Sequence, residues 1–442
     1  MPGIGLLLNG FYLLLILAGL PWFLWAAWRK GKYREGYAEK LLGRVPPRTG
    51  NRTCVWLHAV SVGEVNLLQP LLRAIAGRRP DCECVISTTT LTGIELARKK
   101  YPEHNVFYCP LDFTWAVAEA MRRVRPNVLV LTELELWPNL ILAAHRRGAR
   151  VAVINGRLSE HSFRGYRRIR FLLCRVFEHI ELVAVQDATY AERFLALGAR
   201  PETVHVTGSM KYDGARTDRN NPATRRLAEL AGFAPDDVVF LAGSTQEGEE
   251  QAALEAFREL APHYPRLRLV LVPRHPDRFD AVGRLLDQSG TEWIRRSQLT
   301  ETADSDNPSS ARVLLVDTVG ELGAWWGTAH IAFVGGSLGS RGGQNMIEPA
   351  AYGAAVSFGP NTRNFRDIVA ALLARDAAVV VANRTELTAF VRRCLEEPAW
   401  AAEVGRRAQE HVRQQLGATE RTVELLEPRE RAKGQEPITH NR

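Results

Sequence analysis

Glu64 stands in the stretch Trp56-Leu-His-Ala-Val-Ser-Val-Gly-Glu-Val-Asn66, where an apolar strand runs into a small-residue turn and a carboxylate follows at the mouth of the next helix. In an open parallel α/β sheet, ligands bind beyond the carboxyl ends of the strands, so a carboxylate at that point is placed to act as a base. The same spacing has a second meaning. Ser61 and Glu64 fit a capping box, in which the serine hydroxyl satisfies one orphan helix N–H and the glutamate reaches back to another. Taken alone, the spacing favours the cap. What turns the preference is the company further along the chain.

That company is a set of three loops. Gly335-Gly-Ser-Leu-Gly-Ser-Arg-Gly-Gly-Gln-Asn-Met-Ile-Glu-Pro349 follows an apolar run, and Asn345 is placed to cap the helix that the next residues begin. Glycines permit close backbone approach, and a helix N-terminus offers free N–H groups to a phosphate. The pattern is neither a P-loop, since no Gly-Lys-Ser/Thr follows, nor the GxGxxG dinucleotide fingerprint. One such loop is ordinarily no more than a chain reversal. Here Gly243-Ser-Thr-Gln-Glu-Gly-Glu249 and Pro273-Arg274-His275-Pro276 stand at equivalent strand ends, and together the three predict an anion-binding rim.

The elements that must position these residues follow from alternation. Apolar runs at 54–60, 84–87, 128–131, 151–154, 182–185 and 204–206 alternate with stretches of helical periodicity such as 67–76 and 115–124, the mark of βαβ units and a parallel sheet. Residues 211–222, with Asp213-Gly214 and Asn220-Asn221-Pro222, read as a turn-rich linker. Alternation resumes at 238–242, 267–272, 313–316, 331–334 and 377–381. The expected architecture is α/β, with two doubly wound Rossmann-like domains at 31–212 and 223–426, a cleft between them and a polar tail at 427–442.

Composition narrows the partners. A net charge of +8 and a pI near 9.3 suit an anionic partner, and no RNA or DNA module is present, so a phosphorylated lipid or an anionic membrane surface fits better than nucleic acid. The 6 cysteines form no CxxC pair and carry no metal-ligand spacing, which predicts core thiols in a reducing compartment. Residues 4–28 carry no charge, long enough to cover the roughly 30 Å hydrocarbon core of a bilayer. No Lys or Arg precedes that run, Trp22, Trp25 and Trp28 cluster at one end, and Arg29, Lys30, Lys32, Arg34, Lys40 and Arg44 follow it. The expectation is a retained N-terminal anchor over 1–30 with the body on the cytoplasmic side.

The motifs His58-Ala-Val-Ser-Val-Gly-Glu64, Glu133-Leu-Glu-Leu-Trp-Pro-Asn139, Asn155-Gly-Arg-Leu-Ser159, Thr207-Gly-Ser-Met-Lys211, Gly243-Ser-Thr, Val272-Pro-Arg-His-Pro276, Asp317-Thr-Val-Gly-Glu-Leu322, Gly335-Gly-Ser and Asn345 to Pro349 resemble, in this order, the Kdo (3-deoxy-D-manno-octulosonic acid) transferases of lipopolysaccharide assembly. The resemblance spans nearly the whole chain. It implies a GT-B glycosyltransferase that moves Kdo from CMP-Kdo to a lipid A precursor on the cytoplasmic face of the inner membrane, with neither cofactor nor catalytic metal.

Carried over to this chain, the resemblance makes Glu64 the general base that takes the proton of the lipid sugar hydroxyl, with Glu133 and Lys211 supporting the transition state and Glu135 as the alternative acidic partner. It matches Pro273 and Arg274, then Val319, Gly320 and Glu321, then Asn345, Met346, Ile347 and Glu348 to the segments that contact CMP. Arg274 is expected to pair with the phosphate and Glu348 to accept from the ribose hydroxyls. Two positions depart from the family: Gln246 and Gln344 stand where it usually has His, which keeps hydrogen-bonding capacity but removes a titratable group, while Arg341 adds charge in the same loop.

The segment Arg164-Gly-Tyr-Arg-Arg-Ile-Arg-Phe-Leu-Leu-Cys-Arg175 interleaves five arginines with apolar residues, as a surface lying on anionic lipid does. The competing activity is a related GT-B transferase that uses a UDP-sugar, since the glycine loop and the Glu-Pro pair recur broadly there. A membrane-tethered nucleotide-sugar binder without catalysis is disfavoured by the joint presence of Glu64, Glu133 and Lys211.

Overall fold

The computed structural model describes residues 5, 8–14, 17–19, 25, 35–299 and 311–427. Its first seven strands are β1 (Thr53–His58), β2 (Cys82–Thr88), β3 (Asn105–Tyr108), β4 (Val128–Thr132), β5 (Arg150–Gly156), β6 (Leu182–Val185) and β7 (Val204–Val206). They form one sheet in the order β3-β2-β1-β4-β5-β6-β7, and every pairing in it is parallel. Successive side chains point to opposite faces, so Trp56 enters one core with Val85, Phe107 and Leu129, while Leu57 enters the other with Leu68, Ile86 and Val130. A sheet covered on both faces needs strands that are apolar on both, which explains the uninterrupted hydrophobic runs.

The second sheet contains β8 (Val238–Thr245), β9 (Leu267–Pro273), β10 (Trp293–Arg295), β11 (Val313–Leu315), β12 (Ile331–Val334), β13 (Ala355–Phe358) and β14 (Val379–Val380). Its order is β10-β11-β9-β8-β12-β13-β14, again all parallel. Three strands, β3, β10 and β13, exceed the sequence expectation. Each has only three or four residues, and β10 lies half-exposed at an edge, so none produces an apolar run long enough to stand out. The expected strand over 377–381 shortens to Val379–Val380.

The chain divides into two units, one running to Asp213 and resuming at Gln415, the other Gly214–Gln414. The division falls inside the predicted linker, but the far boundary differs from the expected 426. The helix Ala418–Leu426 returns to the first unit because Ala418, Val423 and Leu426 are apolar and complete the core under β1 and β4. Asp213 ties this return by accepting the N–H groups of Gly417 and Thr419, and Arg150 donates to the carbonyls of Leu425 and Leu426.

Each sheet has a central reversal of strand order, and the second has a further one at its edge, where β11 lies between β10 and β9. In the first the central reversal is between β1 and β4, whose helical connections leave in opposite directions; in the second it is between β8 and β12. Such switch points open a crevice at the carboxyl edge. Glu64 follows β1, Glu133 follows β4, Glu249 follows β8 and the glycine loop follows β12.

Of the predicted anchor, residues 1–4, 6, 7, 15, 16, 20–24 and 26–30 lie outside the described residues, as do 428–442 of the tail. Among the described residues no helix is long and apolar enough to cross a membrane. The helical residues 8–14 pack on the first unit: Asn9 is buried, donates to the Thr114 hydroxyl at 2.7 Å and accepts the Thr114 N–H at 3.1 Å. Tyr12 donates to Asp112, while Phe11, Leu14 and Leu17 are exposed.

Candidate active site

Glu64 is the third residue of the helix Val62–Arg78, whose N-cap is Ser61, and the capping box is complete. The carboxylate is buried and saturated. Its Oε2 accepts the Val60 N–H at 2.9 Å and the Thr132 hydroxyl at 2.5 Å; its Oε1 accepts the Ser61 hydroxyl at 2.7 Å and the Ser61 N–H at 3.3 Å. A carboxylate has about four acceptor positions, so all are engaged here. The register between β1 and β4, with His58 opposite Leu131, brings Thr132 to Glu64 and thus joins the two strand ends. Cap and candidate base are therefore one side chain, and the two roles of this residue are structurally compatible.

Beside it stands a second carboxylate held by cations. Glu133 adopts φ 56°, a left-handed conformation uncommon for a residue with a side chain, and its N–H bonds to Ile154 O at 2.9 Å. Its Oε2 accepts Arg157 Nε at 2.7 Å, and its Oε1 lies 3.5 Å from Lys211 Nζ. Lys211 is brought there by Asn155, which is also left-handed at φ 52° and whose Oδ1 accepts the N–H of Met210 at 3.1 Å. Glu135 receives the Trp137 indole N–H at 2.9 Å. Burial, then the charge of Glu64, push its carboxyl up to about 7. His58 lies fully buried below, driven down to about 4 by burial against the opposing pull of Glu64, and so is neutral near pH 7. Its Nδ1 is 2.9 Å from Ser87 Oγ, which also accepts the Trp56 indole N–H at 2.7 Å.

The second unit corrects the simplest form of the anion rim. The glycine loop after β12 does present a row of N–H groups to a carboxylate, but the carboxylate belongs to the chain. Glu249, nearly fully buried, accepts from Gly336 at 2.6 Å, from Ser337 and Leu338 at 2.9 Å each, and from Gln246 at 2.8 Å. The close packing that needs glycine is visible at Gly335, where an added Cβ would stand 2.5 Å from Thr245 Cα and 2.7 Å from Glu249 Oε2. The backbone amides nearest the loop's start are thus used to hold the β8 and β12 connections together.

What remains open to a ligand lies next to it. Arg274 is exposed, and its guanidinium has no hydrogen-bond or carboxylate partner within 4.0 Å among the described residues. Glu348 accepts the Asn345 amide at 3.0 Å; burial pushes its carboxyl up, opposed by that bond and by the charge of Arg274. Gly320, Glu321 and Glu348 line one cavity of about 420 Å³ with Arg216, Arg226 and Arg296. Glu321 is less free than expected: Arg296 grips it through two bonds of 3.0 and 2.8 Å, and Thr318 adds a third at 2.7 Å. Burial alone would raise its carboxyl, and these partners together outweigh that and lower it. Val319 is exposed, whereas the side chains of Pro273, Met346 and Ile347 are buried and leave main-chain atoms as their means of contact. Gln246 has a buried amide nitrogen with no hydrogen-bond partner among the described residues.

Sequence reading missed the roles of Thr132, Arg157, Glu249 and Arg296. Arg157 and Glu249 lay inside quoted motifs, and a charged residue in a glycine-rich or Asn-Gly turn was the available signal. Thr132 and Arg296 carried none. Among the described residues no group of three or more His, Cys, Asp or Glu gathers as metal ligands, and the 6 cysteines are free.

A family model described as 3-deoxy-D-manno-octulosonic-acid transferase (kdotransferase) matches residues 35–214. The 3-deoxy-D-manno-octulosonic acid transferase of Haemophilus influenzae is 34% identical over 405 residues, covering 90% of this chain and 92% of that protein. The enzyme of the same name from Bordetella pertussis is 33% identical over 430 residues, 93% and 97% of the two chains. The solved UDP-GlcNAc 2-epimerase of Neisseria meningitidis aligns with a TM-score of 0.52 over 85% of this chain and 99% of its own, at 14% identity, a likeness of fold alone. Two parallel-sheet α/β units of this order make the fold GT-B-like, and the relatives make the chain a glycosyltransferase. The chain belongs to the 3-deoxy-D-manno-octulosonic acid transferase family.

Proposed function

We propose that this enzyme transfers Kdo from CMP-Kdo to a lipid A precursor in lipopolysaccharide assembly, by a metal-independent route with Glu64 as the base. The observation that carries the reading is the bond of Glu64 to Thr132, which places it next to the Glu133–Lys211 pair at the β1/β4 switch point of a chain in this family. In the step, the acceptor hydroxyl oxygen forms a bond to the anomeric carbon as the bond from that carbon to the phosphate oxygen breaks. CMP leaves with the electron pair, and the hydroxyl proton passes to Glu64. A carboxylate with all acceptor positions occupied must release one donor first. The Ser61 hydroxyl is the natural one, because it can rotate away while the backbone N–H groups stay fixed. Lys211 and Arg157, steadied by Glu133, supply positive charge beside the reacting centre.

Arg274 takes the CMP phosphate and Glu348 the ribose hydroxyls in this reading. The body sits on the cytoplasmic side of the inner membrane, held by the N-terminal segment, whose exposed Phe11, Leu14 and Leu17 offer it an apolar surface. The test is product mass after incubation of purified enzyme with CMP-Kdo and a tetraacylated lipid A precursor, with CMP and UDP as competitors. A mass increase of one or more Kdo residues, inhibited by CMP and not by UDP, is expected. Inhibition by UDP alone would favour the UDP-sugar alternative. Arg274→Ala should weaken CMP binding by about 1.5–3 kcal/mol, the worth of a charge-assisted hydrogen bond. Calorimetry with unchanged CMP affinity would remove Arg274 from the site.

A further inference from the structure

A second cavity, of about 800 Å³, opens at the opposite edge of the second sheet, under the amino ends of β8, β9 and β12. Val238, Leu267 and Ile331 are the first residues of those strands, and all three line it. Its far wall comes from the helix Pro398–Gln415 and the one before it, through Leu395, Pro398, Ala401 and Ala402. Of its lining residues only Tyr352 also lines the cavity beside Glu321 and Glu348. A volume in the range of small-molecule sites, with apolar walls and a few polar groups, is the ordinary form of a binding pocket.

The polar groups at one end carry a charge that the protein does not balance. Arg219 is partly buried; its Nε donates to Tyr352 O at 2.7 Å and its Nη1 to Gly327 O at 3.4 Å, and no carboxylate pairs with it among the described residues. A guanidinium has five N–H donors, so three are uncommitted. Burial lowers its proton affinity, but an arginine stays charged in proteins. The other cations of the wall are already paired, Arg266 with Asp236 and Arg406 with Glu403 and Glu410. His330, just before β12, also lines the cavity; its Nδ1 accepts the Val239 N–H at 3.1 Å, which leaves Nε2–H as a further donor. His330 is exposed to solvent, and the neighbouring Arg219 disfavours a charge on its imidazole.

We infer that this cavity binds a small amphiphile with a single oxyanion head, carboxylate or phosphate, its head on Arg219 and His330 and its apolar body along Val238, Leu267, Ile331 and Leu395. An inorganic anion would leave the apolar walls wet, and an uncharged lipid would leave the guanidinium unpaired. The site is separate from the transfer reaction and does not depend on the donor being CMP-Kdo.

Titration calorimetry on the full chain, below micelle formation, tests it with four probes: decanoate, decyl phosphate, decanol and inorganic phosphate. Saturable one-site binding is expected for decanoate or decyl phosphate, and which of the two binds more tightly identifies the head group. Decanol and inorganic phosphate should each bind at least about tenfold more weakly, the loss expected when one charge-assisted contact or the apolar contact is missing. Arg219→Met should lower affinity by about the same factor, with partial recovery in Arg219→Lys. Since Arg219 also braces two carbonyls, Ala402→Phe gives an independent check: this side chain is exposed to the cavity, and enlarging it fills space without removing a bond. It should abolish binding with the unfolding temperature unchanged. Absence of saturable binding, decanol binding as tightly as decanoate, or wild-type affinity in both Arg219→Met and Ala402→Phe would overturn the assignment.

Discussion

Glu64 shows how one residue type serves two ends. A glutamate at the third helical position caps the helix through backbone N–H groups, and the same position faces the crevice where a base is needed. Glu64→Gln separates the roles. The hydroxyls of Ser61 and Thr132 can turn to accept from the new amide, so the unfolding temperature should stay within a few degrees, while turnover falls by roughly 10² or more, the scale of general-base catalysis. Near-normal transfer by this variant would leave Glu64 as a cap alone. Glu135 permits a pH experiment. Its folded carboxyl titrates near 7 against an ordinary 4.5, so between those values the native state holds a proton that the unfolded chain has lost. Stability from this group is therefore greatest below pH 4.5 and declines as pH rises to 7. Glu135→Gln should match wild type at pH 4.5 and exceed it in unfolding temperature at pH 8; a difference independent of pH would contradict the burial argument.

At the scale of elements, the β8 and β12 connections are joined by Glu249, a carboxylate enclosed by four N–H donors. Removing it leaves buried donors unpaired, each costing about 1–3 kcal/mol. Glu249→Ala should lower stability by at least about 3 kcal/mol and speed amide exchange at Gly336–Leu338, read by urea unfolding and hydrogen exchange. Unchanged exchange there would show that the loop is held by other means. The returning helix Ala418–Leu426 makes a related point, since its apolar face is used by the first unit although it follows the last element of the second. Periodicity shows that a helix has an apolar face, but not which sheet will cover it.

At the scale of the molecule, the surplus of 8 positive charges is partly concentrated on one surface. In the segment from Arg164 to Arg175, Ile169 and Phe171 are 41% and 66% exposed among arginines. Apolar residues that project among cations suit an anionic bilayer. Binding of the full chain to vesicles containing anionic lipid should weaken as salt rises toward 0.5 M, and Phe171→Ser should weaken it further at low salt. Equal binding to neutral and anionic vesicles would show that the N-terminal segment alone carries the association.

The alternation of apolar runs and helical periods was enough to establish two parallel-sheet units, because a strand covered on both faces must be apolar throughout and a helix on that sheet must repeat every 3.6 residues. The carboxyl-edge loops carrying Glu64 and Arg274 were legible for the same reason, since each lies after a recognisable strand, whereas Glu133 and Lys211 were singled out only by resemblance to the transferase family. Only the tertiary structure decided what those residues meet. The pairing of Glu133 with Arg157 and Lys211, the closing of the glycine loop on Glu249, the grip of Arg296 on Glu321 and the return of the last helix all join positions far apart in the chain. Local sequence sets the direction in which a backbone runs, but such partners are chosen by strand order and register, which place distant residues side by side.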